Sequence, residues 1–412
     1  MIIYICCLMK AGVMVSKICV KDFCTGCSAC ANICKHLAIT MKIDDKGFLY
    51  PEIDENKCIG CKLCYQICPH NVKVARYNSL AVYAAYNKNL RQRKNSSSGG
   101  VFPLMAKYII DNGGVVFGAI WTEEFSVKHI CIKNIDEIYK FSGSKYVQSY
   151  VGTVFLEVRR YLKENKKVLF SGTPCQIAGL KAFLGNKADD GNLVTVDLIC
   201  HGVPPYKLFK QYLRELEPTE KIKSINLRYK KPGWSYSSVQ ILYENKEYLC
   251  PSVNDPYFCL FNFNYSLRDV CHKFEYASSE RCGDITLSDF WGYSPQKLKM
   301  YAYDNGISSI LINSKKGFWL FDNIKNDLNY EQRNINDVKL GNKCLEKPFE
   351  APNNVEEFWN DFLMGRHNIS LLADKYVTKR YEQPKYYRLK LIERKSRLFV
   401  KKSLNFLKGK KR

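Results

Sequence analysis

A chain of 412 residues with 46% hydrophobic content can bury a core of its own, and its length points to two or three units. Its formal charge of +23 marks a strongly basic protein. Its 19 cysteines fall mostly in tight groups on a long chain, which excludes a small secreted disulfide scaffold and points to reduced, metal-bound thiolates. The opening apolar run IIYICCLM is too short to span a bilayer and lacks the charged front and cleavage site of a secretory signal, so the expected location is the cytoplasm. Residues 1–16 read as a disordered or mis-called start, since Met14 leads directly into the first cysteine-rich segment.

Residues 17–75 form the first expected domain. CTGCSACANIC supplies Cys24, Cys27, Cys30 and Cys34, and CIGCKLCYQICP supplies Cys58, Cys61, Cys64 and Cys68, an internal repeat. Three cysteines at three-residue spacings wrap a loop around one corner of a cubane, and the fourth reaches the other cluster. The expected ligands are therefore Cys24, Cys27, Cys30 and Cys68 for one 4Fe–4S cluster, and Cys58, Cys61, Cys64 and Cys34 for a second. Structural zinc needs four ligands in two pairs and leaves half of these cysteines unexplained. The segment from about 17 to 72 resembles bacterial two-cluster ferredoxins, except that Lys35 stands where a proline often follows the fourth cysteine. Each oxidised cluster with its thiolates adds about −2, so the protein stays basic.

Past His70 the cysteine density falls, and a boundary is expected near residue 75. AVYAAY reads as a strand, and RQRKNSSSGG as too polar and glycine-rich for a core element. A helix from Val101 to Asp111, a strand GVVFGAIW, an edge strand near VKHICI, a helix around VFLEVRRYL, a strand KVLF, a helix QIAGLKAFL and a strand LVTVDLIC follow. Such alternation argues for an α/β domain over 76–220 with a largely parallel sheet. From 221 to 380 the strands INLRYK and SVQILYENKEYL, the aromatic segment PYFCLFNFNY and the strand DITLSDFWG suggest a second α+β lobe or a continuation of the first.

Several short motifs lie on this frame. SSSGG, at Ser96 to Gly100 and including Ser97, Ser98 and Gly99, precedes a helix and suits either an N-cap or a phosphate contact. SGSKYVQS offers Ser144, Lys145 and Ser149, as a second phosphate contact or a solvated turn. SGTPCQIAGL puts Cys175 at a helix N-terminus, where the macrodipole lowers a thiol's pKa; nucleophile, redox thiol, metal ligand and inert core cysteine all stay open. LVTVDLICHG ends in Cys200 and His201 at the carboxyl edge of the sheet, where open α/β folds build their sites. Cys271 and Cys282 follow in DVCHKFEYA and CGDITLSDFWG. Cys6, Cys7, Cys19, Cys131, Cys250 and Cys344 show no spacing logic and read as packing residues.

In this order, the cysteine repeat, SSSGG, SKYVQS, SGTPCQIAGL, ICHGVP and GDITLSDFWG resemble the beta-subunit family of coenzyme F420 hydrogenases and dehydrogenases, in the form with a fused N-terminal ferredoxin. The resemblance runs from about residue 17 to at least 340. It implies an α+β ferredoxin-like two-cluster domain fused to an α/β flavoprotein-type body with an α+β C-terminal lobe. FAD would convert between the single electrons of iron–sulfur clusters and the hydride of a soluble carrier or substrate. Ser97, Ser98, Gly99, Gly100, Ser144, Lys145 and Ser149 are then the flavin candidates, and His201 a proton relay or a structural histidine. Cys175, Cys200 and Cys271 match ligands of a third cluster. Phe274 departs from the pattern where a further cysteine is common, leaving Cys282, Cys259 or another group as the fourth ligand, a three-iron site, or no third cluster. Ser288 replaces a usual glycine before DFWG. The rival reading is a non-catalytic iron–sulfur delivery or sensing module without flavin.

Residues 385–412 hold 12 Lys or Arg against Glu393 alone. If helical, Leu389, Ile392, Phe399, Val400, Leu404, Phe406 and Leu407 share a stripe, and the tail at 381–412 suits an anionic membrane surface at the inner face or docking on its own protein. Nucleic acid is disfavoured, because no recognised nucleic-acid fold accompanies the charge. The expected partner is an electron-transfer protein or a soluble hydride carrier.

Overall fold

The computed structural model describes residues 18–217, 219–294 and 303–377. The expected start at 1–16 and the basic tail at 381–412 lie outside the described residues.

The N-terminal part holds α1 (Ala29–Ile33), the hairpin β1 (Ile39–Ile43) and β2 (Leu49–Ile53), and α2 (Leu63–Gln66). The sequence repeat is a backbone repeat as well. Gly26 and Ser28 in one cysteine loop have φ of 70° and 66°, and Gly60 and Lys62 in the other have 72° and 61°. Two left-handed residues per loop wind the chain tightly enough to turn successive cysteines inward, and glycine takes the first of them without Cβ strain.

The body follows with β3 (Ala81–Asn87), α3 (Leu90–Asn95), α4 (Phe102–Asp111), β4 (Val115–Trp121), β5 (Val127–Ile132), α5 (Val154–Lys163), β6 (Val168–Ser171), α6 (Pro174–Leu184), β7 (Leu193–Leu198) and α7 (Tyr206–Leu216). Next come β8 (Ile222–Tyr229), β9 (Ser238–Tyr243), β10 (Glu247–Pro251), α8 (Pro256–Asn262), β11 (Ile285–Asp289), β12 (Ser308–Ile312), α9 (Lys315–Ile324) and β13 (Leu328–Arg333). The helices α10 (Ile335–Lys339), α11 (Val355–Leu363) and α12 (Ile369–Tyr376) complete the described chain.

Eight of these strands form one mixed sheet in the order β13-β3-β12-β11-β7-β6-β4-β5, and β8, β9 and β10 form a separate antiparallel sheet. The ladders β4–β6, β6–β7 and β7–β11 are parallel. Their apolar runs suit strands covered on both faces. Four further ladders are antiparallel, so the expectation of a largely parallel sheet holds only at its centre. Division at residue 220 also fails for this sheet, because β11, β12 and β13 complete what β3 to β7 begin. RQRK, expected to stay outside the core, ends in α3: buried Arg93 donates to the Gly306 carbonyl at 2.9 and 2.6 Å and lies 3.7 Å from the centre of the Tyr86 ring.

The N-terminal part shares its core with the body. Cys27 and Ala29 pack with Phe155, Ile177 and Ala178, and buried Phe48 meets Trp359 edge-on at 5.9 Å. Asn32 Nδ2 donates to the Gly152 carbonyl at 2.7 Å, and the Leu49 N–H to Gln148 Oε1 at 3.0 Å.

Candidate metal centre

Cys24, Cys27, Cys30 and Cys68 line one cavity of about 330 Å³, the grouping expected from the crossover between the two motifs. Val270, Phe274 and Tyr276 from the body form its far wall. A fifth thiol, Cys19, lines the same space, so its reading as an isolated packing residue is corrected. Hydrogen bonds from Cys19 are the main cause that holds the Cys24 thiol down to about 6 and the Cys68 thiol down to about 7. Burial pushes Cys27 up to about 12 and Cys30 well above the ordinary thiol range. A bound cation reverses that preference, because metal binding requires thiolates.

Cys34, Cys58, Cys61 and Cys64 line the second space, with His36, Ile59 and Lys62. It encloses about 20 Å³, so seating a cubane there requires the four side chains to move outward. Cys61 is exposed, whereas Cys27, Cys30 and Cys68 are buried. Among the described residues no group of three or more His, Cys, Asp or Glu is arranged to hold a metal ion. A cubane is less restrictive, since each cysteine binds a different iron. The donor chemistry of both cradles fits 4Fe–4S clusters, and the inner one also has the room.

At the carboxyl edge of the sheet the body brings three further thiols into mutual electrostatic reach: Cys175 after β6, Cys200 after β7, and Cys271. A capping box between Thr173 and Gln176 starts α6, and Thr173 Oγ1 lies 3.1 Å from Cys175 Sγ. The expected lowering of the Cys175 pKa is not what the site produces. Burial wins over the helix N-terminus and pushes this thiol up, and it pushes Cys200 and Cys271 up as well, the last to about 12. The Cys282 thiol is turned onto the Pro174 carbonyl at 3.3 Å and the Asp197 carboxylate at 3.6 Å, and the Cys259 thiol onto the Val253 carbonyl at 3.3 Å. Phe274 stands in the wall of the inner cavity.

The two motifs singled out for a phosphate do meet. The Ser144 N–H donates to Ser97 Oγ at 2.6 Å, and the two hydroxyls are 2.9 Å apart. Ser98 Oγ donates to the Ile307 carbonyl, the Gly99 N–H to Ser308 Oγ, and Lys145 Nζ to the Ser142 and Gly143 carbonyls. These donors serve the chain itself, so the loops as they stand form no open phosphate cradle for a flavin. SSSGG does not cap the following helix either: the N-cap of α4 is Val101, without a side-chain cap, and Gly100 makes the turn at φ 77°. Ser149 is held in a buried network, accepting from Gln176 Nε2 at 2.9 Å and bonding His129 Nδ1 at 3.1 Å, while His129 Nε2 meets the Ser171 carbonyl at 3.1 Å. His201 bonds Asn264 Oδ1 at 2.7 Å and lies between the Phe261 and Phe349 rings, and burial lowers its pKa to about 4. A neutral ring so enclosed suits packing better than proton relay.

Sequence reasoning missed what joins these sites. A Cβ built on Gly179, in α6, would stand 2.9 Å from Cys27 Sγ. The helix that opens with Cys175 is therefore laid directly on the inner cradle. Arg268 was missed too, and its guanidinium lies beside Cys24. Cys344, read as packing, is buried near enough to Cys200 to affect its ionisation.

Two cysteine cradles stacked within one small domain define an iron–sulfur electron-transfer protein, and residues 23–72 match the family model described as a 4Fe-4S dicluster domain. Residues 165–338 match the model for the C terminus of the coenzyme F420 hydrogenase/dehydrogenase beta subunit. The two matches come in the order expected of the beta-subunit family that the motifs resemble, in the form with an N-terminal two-cluster domain. Among solved structures it is similar to a chain of the F420-reducing [NiFe] hydrogenase complex from Methanosarcina barkeri, in a xenon derivative, at 18% identity. That alignment covers 71% of this chain and 92% of the other, with a TM-score of 0.45. No curated protein matches the chain. No helix among the described residues is long and apolar enough to cross a membrane.

Proposed function

We propose that this chain is an electron-transfer subunit of an oxidoreductase. Cys34, Cys58, Cys61 and Cys64 hold an outer 4Fe–4S cluster, and Cys24, Cys27, Cys30 and Cys68 hold an inner one. Cys175, Cys200 and Cys271 form a receiving site in the body. Clusters of this kind, when bound, exchange single electrons. The observation that carries the reading is the contact of Gly179 with Cys27, which leaves no room for solvent between the inner cradle and the helix that bears Cys175. At the other end, exposed Cys61, Ile59 and Leu37 present the outer cradle to a partner protein.

The terminal acceptor in this reading is a hydride carrier such as the deazaflavin coenzyme that the family is named for, or a related substrate. FAD is the converter that such a transfer uses between one and two electrons. Its candidate contacts are Ser97, Ser98, Gly99, Gly100, Ser144 and Lys145, and binding there requires the Ser97–Ser144 contact to part.

Anaerobic purification followed by iron counting and flavin extraction tests this reading. FAD with about eight irons per chain supports it, and about twelve adds a cluster at the body cysteines. Iron without flavin reduces the chain to a delivery or sensing module, and a chain without iron overturns the proposal. Replacing Cys175 with serine should remove any body-bound iron and leave the rest. Flotation on anionic vesicles, comparing the full chain with one ending at Gln383, checks the membrane role of the tail; equal binding removes it.

A further inference from the structure

Arg268 is fully buried, at 0% exposure, yet it reaches out of the body into the two-cluster domain. Its Nε donates to the Cys24 carbonyl at 2.7 Å. Nη1 and Nη2 are buried with no hydrogen-bond partner at bonding distance. The guanidinium lies 3.9 Å from the centre of the Tyr50 ring and 5.5 Å from that of Phe48, and a Cβ on Gly26 would come within 3.3 Å of Nη1. The group is thus pressed against the Cys24–Cys27 loop.

The turn that carries Arg268 also positions a body cysteine, since the Arg268 carbonyl accepts from the Cys271 N–H at 2.8 Å.

A desolvated cation with unused donors is costly unless an anion answers it. Four thiolates around an iron–sulfur cubane are such an anion, and each electron added makes it more negative. A fixed positive charge in a low-dielectric site therefore favours the reduced form and raises the reduction potential. The other charged groups at the inner cavity, His70, Lys273 and Glu275, are exposed and screened, as is Lys62 at the outer one.

We propose that Arg268 sets the inner cluster's reduction potential above the outer cluster's, by placing a buried positive charge against Cys24 where the two-cluster domain meets the body. Electrons arriving at the exposed cradle then run downhill toward Cys175, Cys200 and Cys271. The inference rests on the two-cluster reading given above.

The test is a reductive titration of the anaerobically purified full chain, followed by EPR. Arg268→Gln should shift one reduced-cluster signal to lower potential by at least tenfold in electron partition, about 59 mV for one electron, and leave the other in place. Arg268→Lys, which keeps the charge, should stay near the native midpoint. Unmoved midpoints in an iron-replete Arg268→Gln protein overturn the proposal. If that variant loses its inner cluster, the native ordering decides. Cys61→Ser disturbs the outer cluster, and the unperturbed signal must be the one of higher midpoint; if it is the lower, the proposal falls. A native chain with about four irons or fewer sinks the two-cluster reading instead.

Discussion

The inner and outer cradles are built from one repeated motif, with the same left-handed residues at the same loop positions. Their surroundings differ. The inner cavity, about 330 Å³, borrows a wall from the body and carries a fifth thiol and a buried arginine nearby. The outer space, about 20 Å³, is lined only by residues between Cys34 and Cys64, and Cys61 is open to water. Identical ligand spacing thus produces two electrostatic environments, and potential follows charge, hydrogen bonding and exposure as well as ligand identity.

The largest test of this difference is ligand removal on each side. Cys27→Ser should cost about half the iron of an eight-iron chain and also lower the melting temperature of the body, because Cys27 belongs to its core. Cys61→Ser should lose similar iron and leave the melting of the body nearly unchanged. Iron content and a thermal melt on each variant check the pair, and equal melting losses would erase the distinction.

Acid should act on the body side next. Burial lowers the pKa of His129 from 6.5 to about 4. Between these values the unfolded chain binds more protons, so stability falls as pH drops from about 6.5 to about 4 and levels off below that. A shift of this size is worth on the order of 3 kcal/mol. Melting curves across that range should lose part of their slope in His129→Gln, with buried His201 supplying a similar part, and an unchanged slope would assign it elsewhere.

A smaller effect is expected for Gly179→Ala, whose Cβ would fall 2.9 Å from Cys27 Sγ. Overpacking of this kind costs about 1–3 kcal/mol, and the inner cluster's EPR signal should broaden or vanish before the outer one changes. The smallest effect belongs to Asp269→Asn. This removes the partly exposed Lys46–Asp269 ion pair, at 3.3 Å, between the two-cluster domain and the body. Less than about 1 kcal/mol is expected, fading further in high salt.

The grouping of the eight cysteines around two cavities was legible because cysteine spacing is a local property, imposed by loops of three and four residues. The alternating body was legible in its first half for the same reason, since apolar periodicity marks strands and helices one at a time. The sheet order was not: β3 pairs with β12 and β13, more than two hundred residues away, and no local pattern encodes such partners. Ser149 looked like a site residue because its motif is a small polar loop, and His201 because its motif stands at a sheet edge; burial gave both other partners.

Thiol type and spacing made the iron–sulfur chemistry readable from the chain alone, because both are local properties. Tertiary structure alone decided which cradle is inner and which is outer. It did so by laying α6 against Cys27 through a glycine and by burying Arg268 beside Cys24. Both effects arise between residues far apart in the chain, where packing and desolvation rather than spacing fix the energy.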